Sequence, residues 1–374
     1  MKNNKNEFLM SGNEALARGA LESGVGFCAS YPGTPSTEIT ETLIRTGIAH
    51  VEWSTNEKVA LEACAGASWA GIRALCPMKS LGLNVASDFL LNLNLTGTGL
   101  GGLVIVVCDD PMGHSSSNEQ DSRFYAKAAK VPLLEPSTYQ EAKDVIPFAF
   151  QISTDFEVPV IVRSTTRLSH SRGMVRIEAP TSPKTTAKAL PAGLFNVPRP
   201  TKKHRDLLAK LERVSDLYNE SSWNEIEEDD AASTLVISSG VSSRYVEEAI
   251  CVLDSNEFAV LRIVTSYPLP YKTIMNAITR YDRVVFVEEN DPFIEDEVRA
   301  LSTTLGRTPK MFGVRTGQTA PGGEMTTDRA RDILTAAVGL EEIARERPSP
   351  DPGLLSERPL TFCAGCTHRN FYYA

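Results

Sequence analysis

The chain has 374 residues and a formal net charge of −9, with 42% hydrophobic and 23% charged residues. This composition is that of an ordinary globular protein, and its acidity argues against nucleic acid as the main partner. No stretch predicts a membrane span or a signal peptide, and the seven scattered cysteines do not predict a disulfide framework. We expect a cytoplasmic protein of roughly two to three domains.

Strands and helices alternate through the first part of the chain. Strands are predicted at residues 25–31, 73–78, 103–108 and 158–163. The uninterrupted apolar run LVIVVC at residues 103–108 favours a strand that is covered on both faces. Helices are predicted after the capping-box sequence SGNE at residues 11–14, and at residues 83–95 and 139–152. This alternation predicts an α/β domain with a mainly parallel sheet over residues 1–172.

An extended connector punctuated by prolines is predicted over residues 173–230. It contains a helical segment, residues 207–217, whose apolar stripe is typical of a packing face. The acidic run EIEEDD at residues 225–230 is expected to be solvated.

A second α/β unit is predicted over residues 231–340. Its strands are expected at residues 234–240, 259–264 and 283–287, with helical segments between them. Residues 341–374 read as a linker and the truncated start of a further domain.

Three polar loops follow predicted strands of the first domain, at residues 31–36, 54–57 and 109–123. Ligands of open parallel sheets bind beyond the carboxyl ends of the strands, so these loops predict a site. The third loop, DDPMGHSSSNEQDSR, carries His, Asn, Gln and Arg side chains together, which a simple turn rarely needs. The alternative is a solvated surface loop in which Asp121 caps the next helix.

Glu57 stands at the start of an alanine-rich helix, in the sequence VEWSTNEKVALEACAGASWAG. One interpretation is a capping box between Ser54 and Glu57, in which the Glu side chain returns to the backbone amide of the cap. The other interpretation is a functional acid at the carboxyl edge of the sheet.

Two other patterns carry less weight. The sequence GTGLGG at residues 97–102 matches the dinucleotide fingerprint, but it precedes a strand instead of following one, so we discard it. The sequence Cys363-x-x-Cys366-x-His368 could supply two or three metal ligands, which is half of a zinc site.

Much of the sequence resembles a known family. The stretches SGNEALARGALESG, YPGTPSTEI, VEWSTNEKVALEACAGASWAG, MKSLGLNVASD, GGLVIVVCDDPMGHSSSNEQDSR, KVPLLEPST and FCAGCTHRNFYYA carry the likeness. The chain is thereby similar to the α subunits of indolepyruvate:ferredoxin oxidoreductase, which are thiamine-diphosphate-dependent 2-oxoacid:ferredoxin oxidoreductases. The resemblance implies a pyrimidine-binding domain, followed by a domain like the C-terminal domain of transketolase and by the start of a diphosphate-binding domain.

The resemblance also implies roles for individual residues. Glu57 would face N1′ of the aminopyrimidine as a protonated, hydrogen-bonding acid and would act in catalysis with His114. Thr34, Asn118 and Arg123 would line the 2-oxoacid side, with the Arg123 guanidinium on the substrate carboxylate. The cofactor-binding motif of the third domain would include Cys363, Gly365, Cys366 and His368.

The chain departs from the family pattern at several points. Ala364 and Thr367 stand where the family motif has proline, and Met112-Gly113 stand where the family has glycine before methionine. No Gly-Asp-Gly metal motif occurs, so Mg²⁺ and the diphosphate are expected to be held by a domain absent from this chain. Iron–sulfur clusters are likewise expected only outside it.

The resemblance implies oxidative decarboxylation of an aryl 2-oxoacid such as indolepyruvate, giving acyl-CoA and reduced ferredoxin. The expected partners are a β subunit, the diphosphate-binding domain, ferredoxin, CoA and the 2-oxoacid, in an oligomer without nucleic acid or membrane. The isolated chain is expected to be inactive. A non-catalytic scaffold subunit is the main alternative, and a nicotinamide-dependent dehydrogenase is disfavoured by the misplaced glycine motif.

Overall fold

The computed structural model describes residues 6–184, 186–188, 197–228, 231–306, 308–340 and 353. The elements up to residue 176 are β1 Glu7–Ser11, α1 Gly12–Glu22, β2 Phe27–Ser30, α2 Thr37–Thr46, β3 His50–Trp53, α3 Glu57–Trp69, β4 Ala74–Lys79, α4 Ser80–Thr96, β5 Leu103–Asp109, α5 Arg123–Ala129, β6 Leu133–Leu134, α6 Tyr139–Phe156, β7 Val160–Thr165, α7 Thr166–His170 and β8 Arg172–Arg176. The remaining elements are α8 Pro200–Asn219, β9 Glu225–Glu227, β10 Thr234–Ser239, α9 Ser242–Leu253, β11 Phe258–Ile263, α10 Tyr271–Ile278, β12 Arg283–Val287, α11 Phe293–Ser302, β13 Lys310–Phe312 and α12 Thr327–Val338.

The first part of the chain forms a parallel six-stranded sheet in the order β3-β2-β4-β5-β7-β6. Strand β5 lies inside this sheet between β4 and β7, and every one of its residues is buried. Its apolar run therefore has the environment predicted from the sequence, because helices cover both faces of the sheet. Helices α1 and α6 share one core cluster, while α3 and α4 share the other.

The second sheet has the order β13-β12-β10-β11-β9, and only its edge strand β9 runs antiparallel to its neighbour. The predicted α/β fold is thus confirmed in both parts of the chain. A separate antiparallel pair joins β1 to β8. The predicted domain boundaries at residues 172, 230 and 340 stay predictions.

The connector helix α8 buries its apolar stripe within the chain, as predicted. Leu207, Leu211 and Val214 are at most 6% exposed, and the Ser215 hydroxyl donates to the Leu269 carbonyl. Leu208, by contrast, faces out of this contact and is exposed.

The acidic run is exposed at Glu225, Glu227 and Glu228, as predicted, but part of it also forms a strand. Glu225–Glu227 forms strand β9 against β11, and the Glu225 carboxylate pairs with Arg262 at 2.6 Å. The arginine across the ladder compensates the acidic charge, which the local sequence could not reveal. Residues 229–230 of the run lie outside the described residues.

Candidate functional site

The predicted ligand loops meet at the carboxyl edge of the first sheet. The Lys79 ammonium, at the end of β4, donates to the Ser115 carbonyl at 3.2 Å. The Ser115 hydroxyl lies 3.4 Å from the Thr34 carbonyl. The methylene groups of Lys79 also lie against Gly33, where an added Cβ would be 3.0 Å from Cγ and Cδ of Lys79. The loop after β2 and the loop after β5 therefore close around Lys79.

Glu57 is the first residue of α3, and the helix is capped by its neighbour. The Asn56 side chain accepts a hydrogen bond from the Val59 amide at 3.0 Å, which makes Asn56 the N-cap. The capping-box interpretation with Ser54 is therefore wrong, because Glu57 is too early in the helix to return to that cap. The acid is instead free to point along the edge of the sheet.

The Glu57 residue is only 8% exposed. Burial raises the pKa of its carboxyl group, while its own backbone amide and Lys79 act in the opposite direction. Desolvation favours the protonated form of a carboxylic acid, so this position suits an acid that donates a hydrogen bond. Among the described residues no other side chain forms a hydrogen bond or ion pair with this carboxyl group.

The carboxyl group of Glu57 rests on Gly82 in the first turn of α4. A Cβ placed on Gly82 would lie 2.5 Å from Oε1 and 2.6 Å from Cγ of Glu57. Glycine is thus the one residue type that leaves space for the acid in this position. Because Gly is unfavourable inside a helix, its presence here points to the requirements of the acid above it.

Lys79 lies between two acids. Burial lowers the pKa of its ammonium group, whereas Asp110 and Glu57 raise it. Nothing in the local sequence marks Lys79 as functional. A lysine at the end of a buried strand commonly does no more than extend its ammonium group into solvent. Its position beside Glu57 makes it the cation best placed to meet an anionic ligand at this edge.

Asp110 organises the loop that follows β5. Its carboxylate accepts hydrogen bonds from the Ser115 amide at 2.8 Å, from the Ser116 hydroxyl at 2.8 Å and from the Thr166 hydroxyl at 2.6 Å. Burial would raise the pKa of Asp110, but these hydrogen bonds hold it below its ordinary value. Met112 in the same loop has a φ of +66°, in the left-handed region that favours glycine.

Of the other predicted site residues, His114 and Asn118 lie in the loop after β5 and Thr34 lies in the loop after β2. His114 is exposed and its Nε2 lies 3.5 Å from the buried carboxylate of Glu324, which also binds Arg167 at 2.6 Å. Asn118 is exposed and donates to the Gln120 side chain at 3.1 Å. Thr34 is exposed as well. These exposures also fit the alternative of a solvated surface loop, which Asp110 holds in one conformation.

Arg123 lies elsewhere than the substrate role requires. It is 0% exposed, and each of its three guanidinium nitrogens donates to the chain. Its carboxylate partners are Asp121 and Glu288, the latter at 2.7 Å from Nη1. A guanidinium enclosed in this way cannot face a substrate carboxylate, so we withdraw that role. The geometry assigns Arg123 to the contact between the two sheets.

Arg123 belongs to a buried ionic network that joins the first sheet to the second. The network consists of Arg123, Arg163, Asp109, Asp121, Glu135, Glu288 and Glu289. Burial raises the pKa of Glu288 to about 7 against the opposing effect of Arg123, and raises that of Glu289 to about 7 against Arg163. With five acids and two arginines, the network has too little positive charge to keep every acid ionised.

The predicted motif with Cys363, Gly365, Cys366 and His368 lies outside the described residues. Within the described ranges, no three His, Cys, Asp or Glu side chains converge as a metal site would require. No helix in the described part of the chain has the length and apolar character needed to cross a bilayer.

These observations define a class of protein. It is an α/β protein with a buried acid at the carboxyl edge of a parallel sheet. The family described as pyruvate flavodoxin/ferredoxin oxidoreductase, thiamine diphosphate-binding, matches residues 18–237. The chain belongs to this family.

Relatives in sequence are consistent with this assignment. The protein named indolepyruvate oxidoreductase subunit IorA from Pyrococcus abyssi is 40% identical over 98% of this chain and 58% of its own length. That from Archaeoglobus fulgidus is 39% identical over 97% of this chain and 60% of its own length. The chain therefore spans about three fifths of the length of the curated relatives it matches.

Solved structures support the fold. A chain of 2-oxoglutarate:ferredoxin oxidoreductase from Magnetococcus marinus, with 2-oxoglutarate, coenzyme A and succinyl-CoA bound, superposes with a TM-score of 0.73 at 18% identity. It covers 89% of this chain and 65% of the other. A split-gene transketolase, an inactive β4 tetramer, superposes with a TM-score of 0.57 at 12% identity over 88% of this chain and 99% of the other.

Proposed function

We propose that the chain is the N-terminal part of a thiamine-diphosphate-dependent oxidoreductase that acts on aryl 2-oxoacids such as indolepyruvate. The reaction would convert the 2-oxoacid and CoA to acyl-CoA and CO2, with two electrons passing to ferredoxin. The observation that carries the proposal is the buried Glu57 at the carboxyl edge, with Gly82 beneath it. The names of the relatives favour indolepyruvate among the 2-oxoacids.

The residues around Glu57 fit the pyrimidine end of thiamine diphosphate. When bound, this cofactor supplies the carbanion that attacks the oxo carbon of the substrate. Glu57 would hold a proton toward N1′ of the aminopyrimidine, and burial, which raises the pKa of its carboxyl group, favours that protonated form. The space that Gly82 leaves open lets the carboxyl group keep this orientation.

The substrate would lie against the loops after β2 and β5. We retain Thr34, His114 and Asn118 as polar neighbours of the 2-oxoacid, with His114 as the candidate proton donor or acceptor. In place of Arg123, we propose Lys79 for the substrate carboxylate, because it is the cation that interacts with Glu57. Its position beside the Ser115 carbonyl would keep it directed along the edge.

The remaining parts would come from outside the described residues. The diphosphate, Mg²⁺ and the iron–sulfur clusters would be bound by a further domain or chain, with Cys363, Gly365, Cys366 and His368 at its start. Ferredoxin and a β subunit would complete the complex. Within this chain we propose a pyrimidine-binding domain at residues 1–172 and a transketolase C-terminal-like domain at residues 231–340, joined by the connector.

Activity measurements on the chain alone and in the completed complex test the proposal. With indolepyruvate, CoA and a viologen dye, the complex should reduce the dye and the isolated chain should not. The Lys79→Met variant of the complex should have a raised KM for the 2-oxoacid, whereas Lys130→Met, which removes a cation remote from these loops, should not. Turnover that persists in a complex from which this chain has been omitted would favour the scaffold alternative.

A further inference from the structure

A second cavity lies at the opposite edge of the first sheet, away from Glu57. It has a volume of about 200 Å³ and is lined by backbone before β2, β4 and β5 and by the start of the connector. The polar side chains at its wall are Ser23, Arg73, Thr154, Thr181, Ser182 and Lys184. We call it the Arg73 cavity.

The charge of this wall is unusual for an acidic protein. Arg73 and Lys184 contribute two cations, and no acidic side chain lines the cavity among the described residues. The chain as a whole has a net charge of −9. A local excess of positive charge on such a background attracts small anions.

Arg73 has few partners for a residue that is half-buried. Its Nη1 donates to the Ser23 carbonyl, and its guanidinium lies over the Phe150 ring at 5.6 Å. Neither Nε nor Nη2 of Arg73 forms a bond within the described part of the chain, and no carboxylate there pairs with it. Burial lowers the pKa of Arg73 accordingly. A half-buried guanidinium with two unused donors and no carboxylate partner can accept an anionic ligand.

The volume of the cavity and the arginine in its wall suit a small oxyanion. Its volume is several times the roughly 30 Å³ that one water occupies in the liquid, so a phosphate group fits. The planar fork of arginine matches phosphate with two parallel hydrogen bonds. Thr181 and Ser182 of the connector also line the cavity and carry hydroxyl groups.

We propose that the Arg73 cavity binds a phosphate group, either as inorganic phosphate or as part of a small phosphate ester. Arg73 provides the bidentate contact and Lys184 the second charge. Because Lys184 and Ser182 belong to the connector, the bound anion ties the connector to the first sheet. This site is independent of the thiamine chemistry proposed for the opposite edge.

Titration of the full chain with inorganic phosphate at constant ionic strength tests the proposal, with calorimetry and ³¹P NMR as readouts. The wild type should bind with a defined stoichiometry of about one. Arg73→Gln should weaken binding by at least about ten-fold, the loss typical of a charge-assisted hydrogen bond. Lys202→Gln, which removes one exposed cation outside the cavity, should leave the affinity within about two-fold.

A matched pair at Ser182 keeps the test decisive if Arg73→Gln does not fold. Ser182→Glu places a negative charge at the opening and should abolish binding, while the neutral Ser182→Gln of similar size should retain it. A parallel titration with phenyl phosphate distinguishes a phosphate ester from inorganic phosphate as the ligand. Tighter binding of phenyl phosphate than of inorganic phosphate indicates an ester, and weaker binding indicates the free ion. Equal affinities of the two Ser182 variants, or equal competition by chloride, would overturn the proposal.

Discussion

Removal of the Arg123 guanidinium should destabilise the fold strongly instead of weakening substrate binding alone. Arg123 is 0% exposed and pairs with Asp121 at 2.5 Å and Glu288 at 2.7 Å, and Nη2 also donates to the carbonyls of Glu289 and Asp291. Breaking a buried ion pair by removing one partner costs about 3–5 kcal/mol, because the remaining charge stays buried. Since whole domains are stable by only about 5–15 kcal/mol, Arg123→Ala should come close to unfolding the chain.

Urea denaturation followed by circular dichroism measures this loss. Arg123→Lys should lose less, because an ammonium group can still pair with one carboxylate but lacks the planar fork. Arg45→Ala is a suitable control, since Arg45 forms an exposed pair with Glu41 that is 68% and 44% accessible. That control should change the free energy of unfolding by less than about 1 kcal/mol. A loss below about 1 kcal/mol for Arg123→Ala would refute the structural role.

Two further predictions concern the buried acids. Gly82→Ala should displace the carboxyl group of Glu57 and lower its pKa toward the ordinary range, as measured by ¹³C NMR titration. Gly66→Ala is the control, because a Cβ on Gly66 meets nothing within 4 Å. This control should leave the pKa of Glu57 unchanged and stabilise α3 by up to about 1 kcal/mol. An unchanged pKa in Gly82→Ala would show that the acid is not held in this way. Because the pKa of Glu288 and Glu289 is raised from 4.5 to about 7 in the fold, their contribution to stability is greatest below pH 4.5 and should be lost as the pH rises to about 7. As the pH rises through this range, the urea midpoint should fall less steeply in the Glu289→Gln variant than in the wild type. Identical slopes in the two proteins would contradict the raised pKa of Glu289.

The parallel sheets could be predicted because their signals are local. The apolar run of β5 and the alternation of strands with helices report burial on both faces directly in the sequence. The antiparallel pair of β1 and β8 was not predicted, because its residues are largely exposed. The two strands also pair only with each other, although they are far apart in the sequence. Short exposed strands carry no apolar periodicity of their own.

The candidate site was predictable as a set of loops but less so residue by residue. Glu57 fitted two interpretations until the structure showed Asn56 as the cap, because a shift of the helix start by a few residues changes which side chain can reach the cap. Arg123 resembled a surface ligand because its loop is polar. Its main partner beyond Asp121 is Glu288, which lies 165 residues away in sequence and is found only when the two sheets are placed together. Lys79 became a candidate only when the structure placed it beside Glu57 and the loop after β5.

The exchange of the C2 proton of thiamine diphosphate tests the role of Glu57 most directly. The chain would be assembled with the polypeptide that supplies the diphosphate-binding domain, and the proton–deuterium exchange rate of the bound cofactor measured by NMR. Glu57→Gln preserves the size of the side chain, and we predict that it slows exchange by about 10²- to 10⁴-fold. Glu62→Gln, an exposed change on the same helix, should leave the rate unchanged. A Glu57→Gln complex that binds the cofactor and exchanges at the wild-type rate would contradict the account.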